Sequence, residues 1–381
     1  MTRDTWNAVP AAARLRPMSS SRAMNFNPGP AALPLAALER AKEELVDFAG
    51  TGMSIMEHSH RGATYEAVHD EAISLLRELM GIGDDHHVLF LSGGARLQFA
   101  MVPLNLLHPA RRADYLVTGT WAKSALAEAK MVGDARAAAN AEESGTFTRV
   151  PRQDELDLDP NAVYVHLTSN NTLYGTQWPS YPDTGGVPLI ADMTSDLLGR
   201  VVDVSRFGLI YAGAQKNVGP AGVTIVIVRK DLVASARTDI PLALRYASYA
   251  SANSLWNTPP TFPIYMLRNT LAVLKEWGGA AAIERRNEAK AKLVYDAIAA
   301  APDFYRCPVE EGSRSTMNAV FRLPSEELEK RFLAEAKEAR MVGLKGHRSV
   351  GGLRVSMYNA VEPAWVEALV ALMRDFARKN G

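Results

Sequence analysis

The most constraining stretch of the chain runs from Gly208 to Val228. Gly208-Leu209-Ile210-Tyr211 is a short apolar run of the kind that forms a buried strand. Ala212-Gly213-Ala214-Gln215-Lys216-Asn217-Val218 follows, and then Gly219, Pro220 and Gly222 impose a tight turn. A second, strongly β-prone run comes directly after, Val223-Thr224-Ile225-Val226-Ile227-Val228. The stretch therefore reads as two strands joined by a turn that carries one lysine. A lysine after a strand is ordinarily a surface residue, because burying an ammonium is costly. The small residues around Lys216 leave a second reading open. A crowded, buried amine has a lowered pKa and becomes a nucleophile able to form a Schiff base, with room beside it for a flat group.

Upstream, Val187-Pro188-Leu189-Ile190-Ala191 is another apolar run, and it ends at Asp192. In an open α/β sheet, ligands sit beyond the carboxyl ends of the strands. Asp192 and Lys216 are thus expected to face one crevice from neighbouring strands. A carboxylate and a lysine so placed are what pyridoxal phosphate requires. The carboxylate keeps the pyridine nitrogen protonated and the lysine holds the aldehyde carbon. With Ala191-Asp192 before it, the run 212–222 closely resembles that of the phosphoserine aminotransferases. These are class V members of the fold-type-I pyridoxal phosphate enzymes. The resemblance extends from about Asn25 to the C-terminus, with several separate motifs in the family's order.

The resemblance implies an α/β fold of the fold-type-I transferase kind. A large domain over 25–275 would hold a mostly parallel seven-stranded sheet flanked by helices. A smaller C-terminal α/β domain would span 276–381, with the entry segment 25–36 expected against it. Residues 1–24 contain Arg3, Arg14, Arg16, Arg22 and Ser19-Ser20-Ser21 with Asp4 as the sole acid, and are read as a flexible extension.

Several other motifs carry chemistry. His87 to Leu91 reads as a strand running into Ser92-Gly93-Gly94-Ala95-Arg96 and a helix. Strand, glycines, then helix is the layout of an anion site, with free N–H groups at a helix start. By resemblance, Ala95 and Arg96 hold the cofactor phosphate, Gln215 touches the same group, and Trp121 lies on the pyridine ring. Thr172 bonds the phenolic oxygen region. Many relatives have glycine at the Ala95 position, and the cup tolerates alanine if no positive φ is needed there. Relatives often have glutamate where Asn171 stands.

Met53-Ser54-Ile55-Met56-Glu57-His58-Ser59-His60-Arg61-Gly62 could suggest a metal site, but no further ligand set follows it, and no metal is expected. An anion-binding loop fits better, because the Arg61 guanidinium matches a carboxylate or phosphate. Lys345-Gly346-His347-Arg348, with Arg354 further on, reads in isolation as a solvated turn. By resemblance, Arg354 grips the substrate α-carboxylate, and Arg61, His60, His347 and Arg348 meet its distal anion. Asn257 and Thr258, in a proline-rich loop, would reach the partner's cofactor phosphate across a homodimer.

The implied reaction moves an amino group from glutamate to 3-phosphohydroxypyruvate, in serine biosynthesis, with a four-carbon analogue in pyridoxine synthesis as a further candidate. Cysteine desulfurases, alanine or serine–glyoxylate aminotransferases and a non-catalytic relative are the alternatives. The sole cysteine, Cys307, lies away from the recognised loops and disfavours the first. Forty-two basic and forty-two acidic side chains balance, which argues against nucleic acid or a membrane surface as partner. No apolar run approaches the roughly 20 residues that cross a bilayer. A cytoplasmic enzyme of small molecules is the expectation.

Overall fold

The computed structural model describes residues 22–381; most of the extension anticipated over 1–24 lies outside the described residues. Its centre is one sheet of seven strands: β1 (His86–Ser92), β2 (Arg112–Val117), β3 (Asp134–Asn140), β4 (Val165–Thr168), β5 (Leu189–Asp192), β6 (Leu209–Gly213) and β7 (Val223–Arg229). They lie in the order β1-β7-β6-β5-β4-β2-β3. β7 runs antiparallel to both β1 and β6, while the remaining neighbours are parallel. The mostly parallel sheet expected from the sequence is present.

The apolar runs are nearly continuous because both faces of the sheet are covered. Alternate residues go to opposite faces. Val88 and Phe90 of β1 join one core with Leu189 and Ile210, whereas Leu89 and Leu91 join another with Ile190 and Leu209. On the first face, the helix Thr261–Glu276 contributes Ile264, Leu267, Leu271 and Leu274. The helices Arg96–Leu106 and Thr120–Val132 cover the second face through Phe99, Val102, Ala125 and Leu126.

Two elements are set by more than local propensity. Asp134–Asn140 is alanine-rich, a composition that favours helix, yet it forms the edge strand β3. Pairing with β2 wins there, helped by Arg136, whose Nε donates to the buried Asp114 carboxylate at 2.8 Å. The first helix spans only Leu35–Glu44. The chain turns beyond it: Asp47 Oδ1 accepts from Gly52 N at 2.7 Å, and Phe48 drops into a cluster with Ile55, Tyr65 and Tyr265.

A second core belongs to the C-terminal part. Strands β8 (Asn318–Phe321) and β9 (Leu353–Ser356) pair antiparallel and pack with the helices Gly279–Ala299, Glu326–Glu338 and Pro363–Asn380. The entry segment joins this core. Met24–Asn25 pairs in parallel with Met341–Val342, and Phe26 and Ala32 are buried in the same cluster.

Core packing sets one stability ordering. Leu271 is fully buried, so Leu271→Ala is expected to cost about 2–5 kcal/mol. Leu45 is 42 % exposed, and Leu45→Ala is expected to cost less than about 1 kcal/mol. Urea unfolding of the two variants checks the order.

Candidate active site

The carboxyl ends of β4, β5 and β6 open into a cavity of about 350 Å³. Lys216 and Asp192 both line it, as their strand positions require. Lys216 is only 8 % exposed, and its Nζ donates to Thr172 Oγ1 at 2.7 Å. Burial lowers its pKa to about 8; Asp192 and Asp196 oppose that shift, and Arg354 adds to it. Pro28 and Gly29 of the entry segment close one side of the cavity. Gly29 sits at φ +139°, and a Cβ there would lie 3.1 Å from Lys216 Cε, so only glycine lets the segment lie so close to the lysine stem.

Asp192 is also buried. Its Oδ1 accepts from Thr194 N at 2.9 Å. Burial pushes its carboxyl upward, against the Thr194 hydrogen bonds and the charge of Lys216. A cationic nitrogen placed beside it would hold it ionised.

At the opposite wall, β1 gives way to Gly93, Gly94 and Ala95 and then to the helix Arg96–Leu106. Gly93 takes the left-handed conformation at φ +96° and donates to Gly222 O at 3.0 Å, which bends the chain. Ala95 has φ −55°, so alanine there is unstrained. Among the described residues no acceptor takes the N–H groups of Gly94, Ala95 and Arg96. Donors converging at a helix start form an anion cradle. Arg96 lies over the Trp121 ring at 5.6 Å, and the buried Trp121 Nε1 has no partner among the described residues.

The C-terminal part supplies Arg354 and His347. Arg354 projects from β9, is 4 % exposed, and its Nη1 donates to Thr172 O at 3.3 Å, while Nε has no partner among the described residues. A guanidinium with an unspent buried donor is suited to a carboxylate. His347 lines the cavity, with Nδ1 2.7 Å from Ser349 Oγ. Burial, Arg354 and Arg348 all lower its pKa, which favours the neutral ring.

Of the residues singled out in the sequence, the cavity of one chain brings together Ala95, Arg96, Trp121, Thr172, Asp192, Gln215, Lys216, His347 and Arg354. His60, Arg61, Arg348, Asn257 and Thr258 are not in its wall. Arg61, Arg348, Asn257 and Thr258 are exposed. The loops carrying His60–Arg61 and Asn257–Thr258 sit side by side, since Ile55, Leu255 and Phe262 share one cluster. Among the described residues no group of three or more His, Cys, Asp or Glu side chains is placed to hold a metal ion. Asn171 points away from the cavity and bonds Thr118 Oγ1 at 3.1 Å and Thr176 Oγ1 at 3.0 Å.

The sequence reading did not single out Asn170 and Ser195 in the wall, or Asp196 beneath it. The Asp196 carboxylate accepts from Ser169 Oγ and, at 3.1 Å, from Gln177 Nε2. Its spacing of four from Asp192 is the one signal that could have drawn notice, and by itself it is weak.

The family model described as aminotransferase class-V matches residues 23–369. The phosphoserine aminotransferase of Niallia circulans is 55 % identical over 362 residues, covering 95 % of this chain and all of that protein. A solved phosphoserine aminotransferase from Bacillus circulans subsp. alkalophilus superposes with a TM-score of 0.92 at 54 % identity, covering 94 % of this chain and 99 % of the other. The pyridoxal-phosphate-bound phosphoserine aminotransferase of Trichomonas vaginalis gives 0.88 at 37 % identity, covering 93 % and 100 %. The buried amine, its carboxylate and the anion cradle therefore sit on a scaffold matched along nearly its whole length, and the chain belongs to the class-V aminotransferase family.

Proposed function

We propose that the chain is a pyridoxal-phosphate-dependent transaminase. It moves the amino group of L-glutamate to 3-phosphohydroxypyruvate, giving O-phospho-L-serine and 2-oxoglutarate, a step of serine biosynthesis. The observation that carries the reading is the buried Lys216 amine facing Asp192, with Arg354 in the same cavity. The names of the relatives point the same way.

The residues fit the cofactor. The unpaired N–H groups of Gly94, Ala95 and Arg96 suit its phosphate, Trp121 its ring face, Asp192 its pyridine nitrogen and Thr172 its phenolic oxygen. When bound, pyridoxal phosphate supplies the aldehyde that takes up the amino group and a ring that withdraws electrons from the α-carbon. Arg354 orients the α-carboxylate. With the cofactor bound, Lys216 Nζ would serve as the general base that takes the proton from the substrate α-carbon and as the acid that gives it up again. Both substrates share an amino-acid head and an anionic tail, so one set of cations serves each half reaction. His347 lines the cavity already; Arg348, His60 and Arg61 complete the tail site. Charge-assisted hydrogen bonds contribute about 1.5–3 kcal/mol each, which disfavours neutral amino acids.

A homodimer is part of the proposal. Met53, Met56, Leu97 and Trp256 are exposed apolar side chains, at 41 %, 51 %, 43 % and 38 %, and three of them lie on the same loops as Arg61 and Asn257. A second copy covering them would receive Asn257 and Thr258 at its cofactor phosphate. Among the described residues no helix is long and apolar enough to cross a membrane. A cytoplasmic location completes the reading, in keeping with the free thiol of Cys307.

Three expected outcomes test this. Adding O-phospho-L-serine to the cofactor-loaded protein should convert its visible spectrum to the pyridoxamine form, while L-alanine, L-serine and L-cysteine should not; Lys216→Ala should lack the lysine-bound absorbance from the start. In cofactor-free protein, the Lys216 amine should become reactive with a midpoint near pH 8, read by pH-dependent reductive methylation. Asp192→Asn removes a carboxylate that stabilises the ammonium, so the midpoint should fall. Finally, Asn257→Asp and Lys216→Ala dimers, each nearly inactive, should regain about a quarter of wild-type activity when dissociated and reassembled together, because a mixed dimer has one intact site.

A further inference from the structure

Three chain segments meet behind the cavity, and each bears a residue of the reaction. The first is the turn after Asp192, which runs through Leu198 and Gly199. The second is the loop after Lys216, which begins with Asn217. The third is the end of β9, which carries Arg354 and continues into Met357-Tyr358-Asn359.

All three converge on Asn359, which is 1 % exposed. Its backbone N–H donates to Asn217 Oδ1 at 3.1 Å. Its side-chain Nδ2 donates to Leu198 O at 3.0 Å. Its Oδ1 accepts from Asn287 Nδ2 at 2.8 Å, and that same amide donates to Gly199 O at 2.8 Å. Leu198 is a buried non-glycine residue at φ +55°, a conformation that persists only when its surroundings impose it. The amides of Asn359 and Asn287 hold its carbonyl and the next one. The adjacent residue, Tyr358, donates its hydroxyl to Pro28 O at 2.8 Å, in the segment that covers the Lys216 stem. From the helix behind, the fully buried Lys290 donates to the carbonyls of Met357, Tyr358 and Val361 at 2.9, 2.8 and 3.2 Å. The turn is thus anchored to its own domain by Lys290. Through Asn217 and Leu198, Asn359 ties the turn to the chain segments that follow Lys216 and Asp192, alongside the bonds of Tyr358 to Pro28 O and of Arg354 Nη1 to Thr172 O at 3.3 Å.

We propose that Asn359, with Asn217 as its acceptor, is the positioning residue that sets Arg354 at a fixed distance from Lys216 and Asp192, so that a substrate held by its α-carboxylate presents its α-carbon to the lysine amine. This rests on the transaminase reading above. Neither asparagine lines the cavity, so both act through other residues. Loosening the tie leaves the cofactor's own contacts intact and lets the carboxylate grip drift.

The test uses the cofactor-loaded protein and two ligands, titrated by the change in visible absorbance. O-phospho-L-serine has the α-carboxylate; O-phosphoethanolamine is the same molecule without it. Asn359→Ala is expected to weaken phosphoserine about tenfold, as expected for lost buried hydrogen bonds, and phosphoethanolamine less than about twofold. The lysine-bound absorbance before titration should be that of the wild type. Asn217→Ala, which leaves the Leu198 and Asn287 contacts in place, should show the same selectivity and serves if Asn359→Ala does not load cofactor. Equal weakening of both ligands in these variants would mean a merely structural role and would overturn the inference, as would no weakening of either. A wild-type protein that ignores phosphoserine would instead bring down the functional reading, and this inference with it.

Discussion

Everything in this molecule depends on keeping one ammonium group short of water. Lys216 sits where a strand ends, under a strap of backbone and against a threonine hydroxyl, with two carboxylates at longer range. Burial alone would discharge it, and the carboxylates alone would fix its charge. The balance leaves an amine that can gain or lose a proton near neutral pH. The cost of burial is borne by packing around it, since the lysine is flanked by small residues and the sheet behind is covered on both faces.

The second requirement is that two separately built cores present their charges to one space. The large core supplies the amine, the carboxylate and the anion cradle; the small one supplies Arg354 and His347. The join is polar and buried. Asn170 bonds Ser195 Oγ and Asn318 Oδ1, both at 2.8 Å, and Gln177 links Asp196 to Thr316 N at 3.0 Å. Such a join is specific in a way that an oily one is not, because each donor has one suitable acceptor and a slip leaves it unpaired.

Much of this was legible in the sequence, for reasons that differ by residue. Short apolar runs ending in Asp192 or in small residues before Lys216 give away both the strands and the ends that open into the cavity, because a period and a terminus are local properties. The glycines before Arg96 reveal the cradle because only backbone freedom permits that bend. Asn170, Asp196 and Asn359 were not legible. Their roles arise from partners up to more than a hundred residues away, and nothing near them in the chain distinguishes a buried asparagine from one in a loop. β3 was obscured for the opposite reason, since its alanines speak for helix locally and only a neighbouring strand overrules them. Arg61 and Asn257 were singled out for their chemistry, and in the single chain they are exposed and outside the cavity wall.

The strap over Lys216 has one more effect. Its first residues are hydrogen-bonded to the C-terminal half of the protein, at Met341–Val342, and its middle lies on the lysine. The strap and its docking edge lie more than three hundred residues apart in the chain. The strap therefore cannot be fixed over the lysine stem until that distant edge is present, so closing this side of the cavity requires a contact between the two ends of the described fold.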